Sequence, residues 1–201
     1  MGEQPSHYFD EEPTTESDPR EVTLLLPDAQ FVLCTDRGVF GYGRIDSATK
    51  LLLLRAPVPP REGDLLDLGC GTGAIALTLA ARAPESTVWA IDVNERAREL
   101  CRANAERNGL GNVRVCAPDE VPESVRFACI WSNPPIRVGK TALHDLLDRW
   151  LERLAPRGEA ILVVGKHLGS DSLQTWLTAR GWPTARLASS GGFRILRVVR
   201  G

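Results

Sequence analysis

Residues 64–75 read Asp-Leu-Leu-Asp-Leu-Gly-Cys-Gly-Thr-Gly-Ala-Ile. The apolar run predicts a buried strand at residues 65–68, and the Ala- and Leu-rich segment after the glycines predicts a helix at 74–83. Glycines at such a junction permit a tight turn that brings backbone N–H groups close to a ligand. The loop therefore predicts a pocket for a nucleotide-like molecule, and the alternative is a purely structural turn.

The spacing of the glycines limits the classes of ligand that the loop can bind. The dinucleotide fingerprint is Gly-x-Gly-x-x-Gly, whereas these glycines fall at positions 69, 71 and 73 and the strand carries Asp67 near its end. A carboxylate disfavours a pyrophosphate beside it. S-adenosylmethionine, which has an ammonium group, a sulfonium and no phosphate, fits this loop better.

Two further carboxylates follow later strand-like runs. Asp92 stands 25 positions after Asp67, close to the ~20 expected for an acid that binds both ribose hydroxyls. The alternative is that Asp92 or Asn94 caps the next helix. Asp119 follows the third run and is a candidate acceptor for the adenine amine, or a turn residue beside Pro118.

From residue 64 onward, strand-like and helix-like segments alternate along the chain. This alternation predicts βαβ units and a buried parallel sheet. The predicted strands of the sheet are residues 65–68, 88–91, 113–115, 127–131 and 161–164. The predicted helices are residues 74–83, 94–108, 141–154 (ended by Pro156 and Gly158) and 170–180, before a hairpin of 184–188 and 193–199 at one sheet edge.

The residues upstream of the sheet divide into two parts. Residues 1–20 are acidic and proline-containing, which predicts a partly disordered lead-in. Residues 21–60 predict a hairpin (22–26 and 31–35) and a helix (47–55) with Asp46 as its N-cap. The expected organisation is thus a lead-in at 1–20, a hairpin-and-helix extension at 21–60 and the main domain at 61–201.

The tetrapeptide Asn133-Pro134-Pro135-Ile136 follows the fourth strand of the sheet. Its prolines fix two φ angles and remove two N–H donors. What remains is a rigid corner with two acceptors, the Asn133 side-chain oxygen and the Pro134 carbonyl. These acceptors suit the two N–H bonds of an exocyclic amine or a carboxamide, and they would aim its nitrogen at an electrophilic methyl group. The alternative is a plain loop of helix breakers.

Composition excludes several classes of protein. The 201 residues are 43% hydrophobic and 25% charged, with no apolar run near the ~20 residues of a membrane span. The five cysteines form no Cys-x-x-Cys pair, and the histidines lack acids at metal-ligand spacing, so we expect a cytoplasmic protein without a metal site. Residues 1–36 hold nine acids and one base, and the remainder carries a positive excess that suits a polyanion such as RNA.

Together, the glycine loop, Asp92, Asp119 and Asn-Pro-Pro-Ile resemble the class I S-adenosylmethionine-dependent methyltransferases. The stretches 38–46 and 191–196 make the chain similar to the methyltransferase small-domain family, which includes guanine-N2 methyltransferases of small-subunit ribosomal RNA. The resemblance implies a Rossmann-like, mostly parallel seven-stranded α/β sheet with an antiparallel C-terminal edge hairpin and a small N-terminal hairpin extension. It covers residues 7–200.

The resemblance also implies roles for particular residues. The catalytic set is Asn133, Pro134, Pro135 and Ile136. The cofactor-binding set is Asp67, Gly69, Cys70, Gly71, Gly73, Asp92, Val93, Asp119 and Asn133. The substrate mouth would include Phe40, Asp46, Thr49, Arg137, Lys140 and Arg194, with core packing of Phe40 and helix capping by Asp46 as alternatives.

The implied reaction is methylation of an exocyclic amine, first of all guanine N2 in ribosomal RNA. Adenine N6 and a protein glutamine are also compatible with Asn-Pro-Pro, and a non-catalytic cofactor-binding or RNA-binding module is the alternative outside enzymes. Two departures leave the substrate open: the ribosomal enzymes of this kind carry two tandem copies of the domain where this chain has one, and Ile136 stands where related amine methyltransferases often have an aromatic residue.

Overall fold

A computed structural model describes residues 15–200, without the side chain of Arg137. Most of the predicted lead-in at 1–20 therefore lies outside the described residues. The strands are β1 (Arg20–Leu25), β2 (Gln30–Thr35), β3 (Asp64–Leu68), β4 (Thr87–Ile91), β5 (Val113–Cys116), β6 (Phe127–Ser132), β7 (Leu154–Gly165), β8 (Thr184–Ser190) and β9 (Phe193–Val199). The α-helices are α1 (Ser47–Arg55), α2 (Ala74–Arg82), α3 (Glu95–Arg107), α4 (Lys140–Leu151) and α5 (Ser170–Ala179).

Seven strands form one sheet in the order β5-β4-β3-β6-β7-β9-β8. Neighbouring strands from β5 to β7 are parallel, and β9 is antiparallel to both β7 and β8. The predicted α/β class, the parallel sheet and the C-terminal edge hairpin are confirmed. The chain order reverses between β3 and β6, and ligands of open α/β sheets bind at such a switch point.

Both faces of this sheet are buried. Along β3, Leu65 packs into the layer of α1, α2 and α3, whereas Leu66 packs into the layer of α4 and α5. In β6, Trp131 and Ile130 divide between the same two layers. Because successive side chains of a strand point to opposite faces, one continuous apolar run supplies both cores.

The N-terminal extension covers part of the first face. β1 and β2 form a separate antiparallel hairpin, as the sequence predicts. Its buried residues Leu24, Phe31 and Leu33 join one apolar cluster with Leu52 and Leu53 of α1 and with α2. The hairpin and α1 thus share their hydrophobic core with the main sheet.

Asn104 of α3 fixes the hairpin beside the glycine loop. This buried side chain accepts a hydrogen bond from Cys34 N at 2.7 Å and donates to Cys34 O and Thr72 O, both at 2.9 Å. It therefore joins β2, α3 and the loop before α2 through three hydrogen bonds.

The predicted end of one helix and the predicted start of the strand after it, expected at residues 161–164, are both wrong. The helix expected at residues 141–154 ends at Leu151, and Leu154 begins β7 by pairing with Phe127. Pro156 and Gly158 lie inside β7, where the pairing register with β6 shifts between Phe127 and Cys129 and Arg157 has a φ of 65°. The breakers thus mark a bulge in a strand.

Within residues 15–200, no helix is long and apolar enough to span a bilayer.

Replacing Asn104 with Ala leaves the Cys34 N–H, the Cys34 carbonyl and the Thr72 carbonyl without their buried partner. Since each such group costs about 1–3 kcal/mol, we expect the free energy of unfolding to fall by about 3 kcal/mol, measured by urea denaturation. The exposed Glu106 on the same helix provides the control, and Glu106→Ala is expected to cost under about 0.5 kcal/mol. A loss as small for Asn104→Ala as for the control would contradict this role.

Candidate functional site

A cavity of about 710 Å³ lies at the carboxyl edge of the parallel strands. On one side it is lined by the loops after β3 and β4, including Gly69, Gly71 and Asp92. On the other it is lined by Asn133–Ile136 and Phe193, and Phe40 and Asp46 of the segment between β2 and α1 line it as well. Its volume falls in the range of small-molecule sites.

The backbone N–H groups of the glycine loop are directed into the protein. Those of Gly69 and Cys70 donate to Ile91 O at 3.0 and 2.9 Å, and that of Gly71 donates to the Asp92 carboxylate at 2.9 Å. Gly73 N donates to Cys70 O at 2.8 Å. With these N–H groups occupied, the loop offers a phosphate little to bind, which supports a ligand without phosphates.

The glycines of the loop differ in what they permit. A Cβ built on Gly69 (φ 83°) has nothing within 4 Å, and one on Gly71 meets only Phe40 O at 3.8 Å. Open space therefore runs along these two residues, as a cofactor lying across the loop requires. A Cβ on Gly73 would lie 2.9 Å from Cys101 Sγ, so Gly73 allows the close approach of α3. Cys70 is buried and lines a smaller cavity of about 40 Å³ next to the main one.

Asp67 lies fully buried behind the loop. One carboxylate oxygen accepts from Ala76 N at the start of α2 at 2.9 Å, and the other has no hydrogen-bond partner in the described part of the chain. Burial raises the pKa of Asp67 to about 8, against the opposing Ala76 N–H and with a contribution from the Asp92 carboxylate. Asp67 is not among the residues that line the cavity, so it supports the loop from behind.

Asp92 and Val93 lie on the cavity wall directly after β4. The Asp92 carboxylate accepts from Gly71 N at 2.9 Å and from Asn94 N at 3.0 Å. Burial raises the pKa of Asp92, while these two N–H groups oppose the shift. Asn94 caps α3 by accepting from Ala97 N, so Asp92 itself is not the helix cap. Asp119 is exposed and does not line the cavity, although the neighbouring Pro118 does.

The Asn-Pro-Pro-Ile corner is a tight turn. Pro135 has φ −74° and ψ 74°, and Ile136 N donates to Pro134 O at 2.8 Å, which is the geometry of an inverse γ-turn. The Pro134 carbonyl thus keeps one lone pair for a ligand. All four residues of the corner line the cavity.

Two residues of the N-terminal extension hold the Asn133 side chain. Its amide nitrogen donates to the Asp46 carboxylate and to Thr49 Oγ1, each at 3.0 Å. Because a carboxylate only accepts hydrogen bonds, the NH₂ group of Asn133 must face Asp46. The side-chain oxygen of Asn133 is therefore the atom left for a ligand.

The remaining predicted mouth residues divide into two groups. Phe40, 41% exposed, lines the cavity, and Asp46 both lines it and caps α1 by accepting from Thr49 N at 2.9 Å. Lys140 is exposed at the start of α4 and Arg194 pairs with Asp171 of α5, and neither lines the cavity. The side chain of Arg137 lies outside the described part of the chain.

Sequence reasoning missed several lining residues. Tyr42, Arg44, Leu168 and Phe193 all border the cavity. Phe193 begins β9 opposite Gly165, the last residue of β7. Since β9 is antiparallel, its first residue lies at the carboxyl edge of the parallel strands. The predicted edge hairpin was therefore a signal that could have placed Phe193 at this edge.

Among residues 15–200, no group of three or more His, Cys, Asp or Glu side chains could hold a metal ion.

The chain is similar to known proteins over most of its length. The model of the family described as methyltransferase small domain matches residues 30–197. An uncharacterized protein, YbxB of Bacillus subtilis (strain 168), is 38% identical over 169 residues, which cover 83% of this chain and 84% of that protein. The ribosomal RNA small subunit methyltransferase C of Stutzerimonas stutzeri (strain A1501) is 37% identical over 188 residues, or 90% of this chain and 55% of the relative.

A solved structure supports the fold. The Thermus thermophilus 16S rRNA N2 G1207 methyltransferase, in complex with AdoMet and guanosine, superposes with a TM-score of 0.76 at 24% identity. The superposition covers 94% of this chain and 52% of that one. This chain thus spans about half the length of the ribosomal RNA methyltransferases that it matches.

The raised pKa of Asp67 predicts a pH dependence of stability. Between about pH 4 and pH 8 the folded protein keeps a proton that the unfolded chain has lost, so the free energy of unfolding falls as pH rises, by up to about 1.4 kcal/mol per pH unit. Asp67→Asn removes this titration and keeps an acceptor for Ala76 N. We expect the wild-type stability to decline relative to the variant from pH 4.5 to 7.5 in urea denaturation. If the free energy of unfolding changed with pH in the same way for both proteins, the raised pKa of Asp67 would be contradicted.

Proposed function

The chain belongs to the methyltransferase small domain family, and on that premise we propose that it methylates guanine N2 in ribosomal RNA. The observation that carries the proposal is the oriented Asn133 side chain, held at 3.0 Å by both Asp46 and Thr49 at the rim of the cavity. An acceptor fixed in this way suits an exocyclic amine.

Family membership confirms three expectations from the sequence. The chain is a methyltransferase, its fold is the Rossmann-like α/β sheet, and its cofactor is S-adenosylmethionine. The residues present suit this cofactor: open space along Gly69 and Gly71 for its body, and the Asp92 carboxylate on the wall beside them. When bound, S-adenosylmethionine supplies an electrophilic methyl group on a positively charged sulfur.

Orientation is the main task of the protein at the acceptor side. The lone pair of an aromatic amine is delocalised into its ring, so the nitrogen is a weak nucleophile. Hydrogen bonds from its two N–H groups to Asn133 Oδ1 and the Pro134 carbonyl would favour a pyramidal nitrogen and direct the lone pair across the cavity. Such positioning can contribute on the order of 7 to 11 kcal/mol to lowering a barrier.

The apolar walls contribute in a second way. The apolar side chains of Ile136, Leu168 and Phe193 line the same cavity as Asn133 and Pro134. A planar base can pack against them, and its entry excludes water from the amine. Water would otherwise compete for the acceptors on Asn133 and Pro134.

Ribosomal RNA is supported as the substrate by the relatives and by charge. Two curated relatives that match 90% and 94% of this chain are named ribosomal RNA small subunit methyltransferase C. At the same edge of the sheet, Arg44, Lys140 and Lys166 are exposed and have no ion-pair partner within the described residues. Basic side chains at the edge of the sheet where the cavity lies suit contacts to RNA phosphates.

The function is tested by methyl transfer from radiolabelled S-adenosylmethionine to separated RNA and protein fractions of cells that lack this enzyme. Nucleoside digestion of the labelled RNA is expected to release N2-methylguanosine. Label in N6-methyladenosine or only in protein would instead identify adenine or a glutamine side chain as the acceptor. No label in either fraction, with S-adenosylmethionine binding intact, would indicate a non-catalytic module.

We expect Asn133→Ala to lower kcat for the RNA at least about 100-fold, because the amine loses an oriented acceptor. The affinity for S-adenosylmethionine, measured by calorimetry, should change less than about threefold, since Asp92 and the glycine loop are untouched. Normal turnover in this variant would exclude the proposed mechanism.

A further inference from the structure

The two carboxylate oxygens of Asp46 differ in their hydrogen bonds. Oδ2 accepts from Thr49 N at 2.9 Å and from Asn133 Nδ2 at 3.0 Å. Oδ1 accepts no hydrogen bond from any side chain or backbone group between residues 15 and 200. Asp46 is half-buried and lines both the main cavity and the smaller one.

Asp46, Asn133 and Pro134 all line the main cavity and offer hydrogen-bond acceptors to a ligand, whereas Arg44, which lines it as well, offers donors. Both side-chain hydrogens of Asn133 are used by Asp46 and Thr49, so its Oδ1 is left as an acceptor. Pro134 and Pro135 have no N–H, and the Pro134 carbonyl has a second lone pair beyond its bond to Ile136 N. With Asp46 Oδ1, three residues that line the cavity thus each keep an acceptor position that the described part of the chain does not use.

Such a wall selects among the possible acceptors. The edge of guanine that carries N2 has three hydrogens to donate, two on N2 and one on the adjacent N1. Adenine has a lone pair on N1 beside its N6 amine, and a glutamine amide has an oxygen beside its NH₂. A carboxylate next to either lone pair is repulsive and leaves both groups without a hydrogen bond.

We propose that Asp46 is a specificity-determining residue that accepts the N1–H of the guanine whose N2 amine is methylated. The proposal rests on the function proposed above and adds the group that distinguishes guanine from other amines. Asn133 and Pro134 bind the reacting amine, and Asp46 accepts a hydrogen bond from the adjacent N1–H. A site built to bind a substrate N–H can reject an analogue without it by several orders of magnitude.

The substitution Asp46→Asn tests this role with little disturbance of the fold. Asn is as good a helix N-cap as Asp. The Thr49 and Asn133 N–H groups both need an acceptor, so the oxygen of the introduced amide takes the place of Oδ2. Its NH₂ group then takes the place of Oδ1, which changes an acceptor into a donor at that one position.

The probes are guanosine and 2-aminopurine riboside, added as competitors of ribosomal RNA methylation. The two bases share the N2 amine, but 2-aminopurine has a lone pair at N1 where guanine has N1–H, and it also lacks the O6 carbonyl. The change of preference between wild type and Asp46→Asn therefore reports on N1, because O6 is the same difference for both enzymes. Wild-type enzyme is expected to be inhibited at least tenfold more strongly by guanosine. The Asp46→Asn enzyme is expected to prefer 2-aminopurine riboside and to methylate guanine in RNA at least 100-fold more slowly, with the KM for S-adenosylmethionine unchanged.

Thr49→Val is the matched control. It removes the bond from Asn133 to Thr49 Oγ1 and leaves the Asp46 carboxylate in place. We expect it to lower turnover while keeping the wild-type preference for guanosine. The same preference in wild type and Asp46→Asn, or no preference in either, would overturn the proposal. Wild-type enzyme that labels only adenine or protein would show that the proposed function itself fails, before any variant is compared.

Discussion

The burial of the parallel sheet on both faces is the constraint on which the rest of the structure depends. A sheet covered by helices on both sides has no open face for a ligand, so a ligand must enter where the strands end. All five parallel strands end at the same edge, and the chain order reverses there between β3 and β6. The glycine loop and Asn133 follow these two adjacent strands, which brings the parts expected to serve cofactor and acceptor together.

The same constraint makes the N-terminal extension part of the site. The hairpin and α1 supply apolar side chains, among them Leu33 and Leu52, to the core on one face of the sheet. Their packing fixes where α1 begins, and its N-cap, Asp46, reaches Asn133 across 87 positions of sequence. One carboxylate thereby stabilises a helix terminus and orients a side chain at the proposed acceptor site.

The polar side chains that hold the glycine loop follow a consistent pattern. Asp67, Asp92 and Asn104 each bind backbone groups of the glycine loop or of the helix after it. A loop held from several sides loses little further conformational freedom when a ligand binds, which favours affinity. The burial of Asp67 and Asp92 raises the pKa of both carboxyl groups, so this arrangement also makes the region sensitive to pH.

The sequence by itself determined the order and type of the elements, because apolar periodicity, caps and glycines act over a few residues. It placed α1 at its observed bounds and put the glycine loop and Asn133 after strands of one sheet. It erred at the end of α4, since Pro156 and Gly158 suit a strand bulge as well as a helix end and only the pairing of Leu154 with Phe127 decides between them. The tertiary structure alone decided that Asp67 lies behind the loop, that Arg194 pairs with Asp171, and that Asp46 and Thr49 hold Asn133. These contacts join residues far apart in the chain, and local patterns carry no information on how two packed elements are placed against each other.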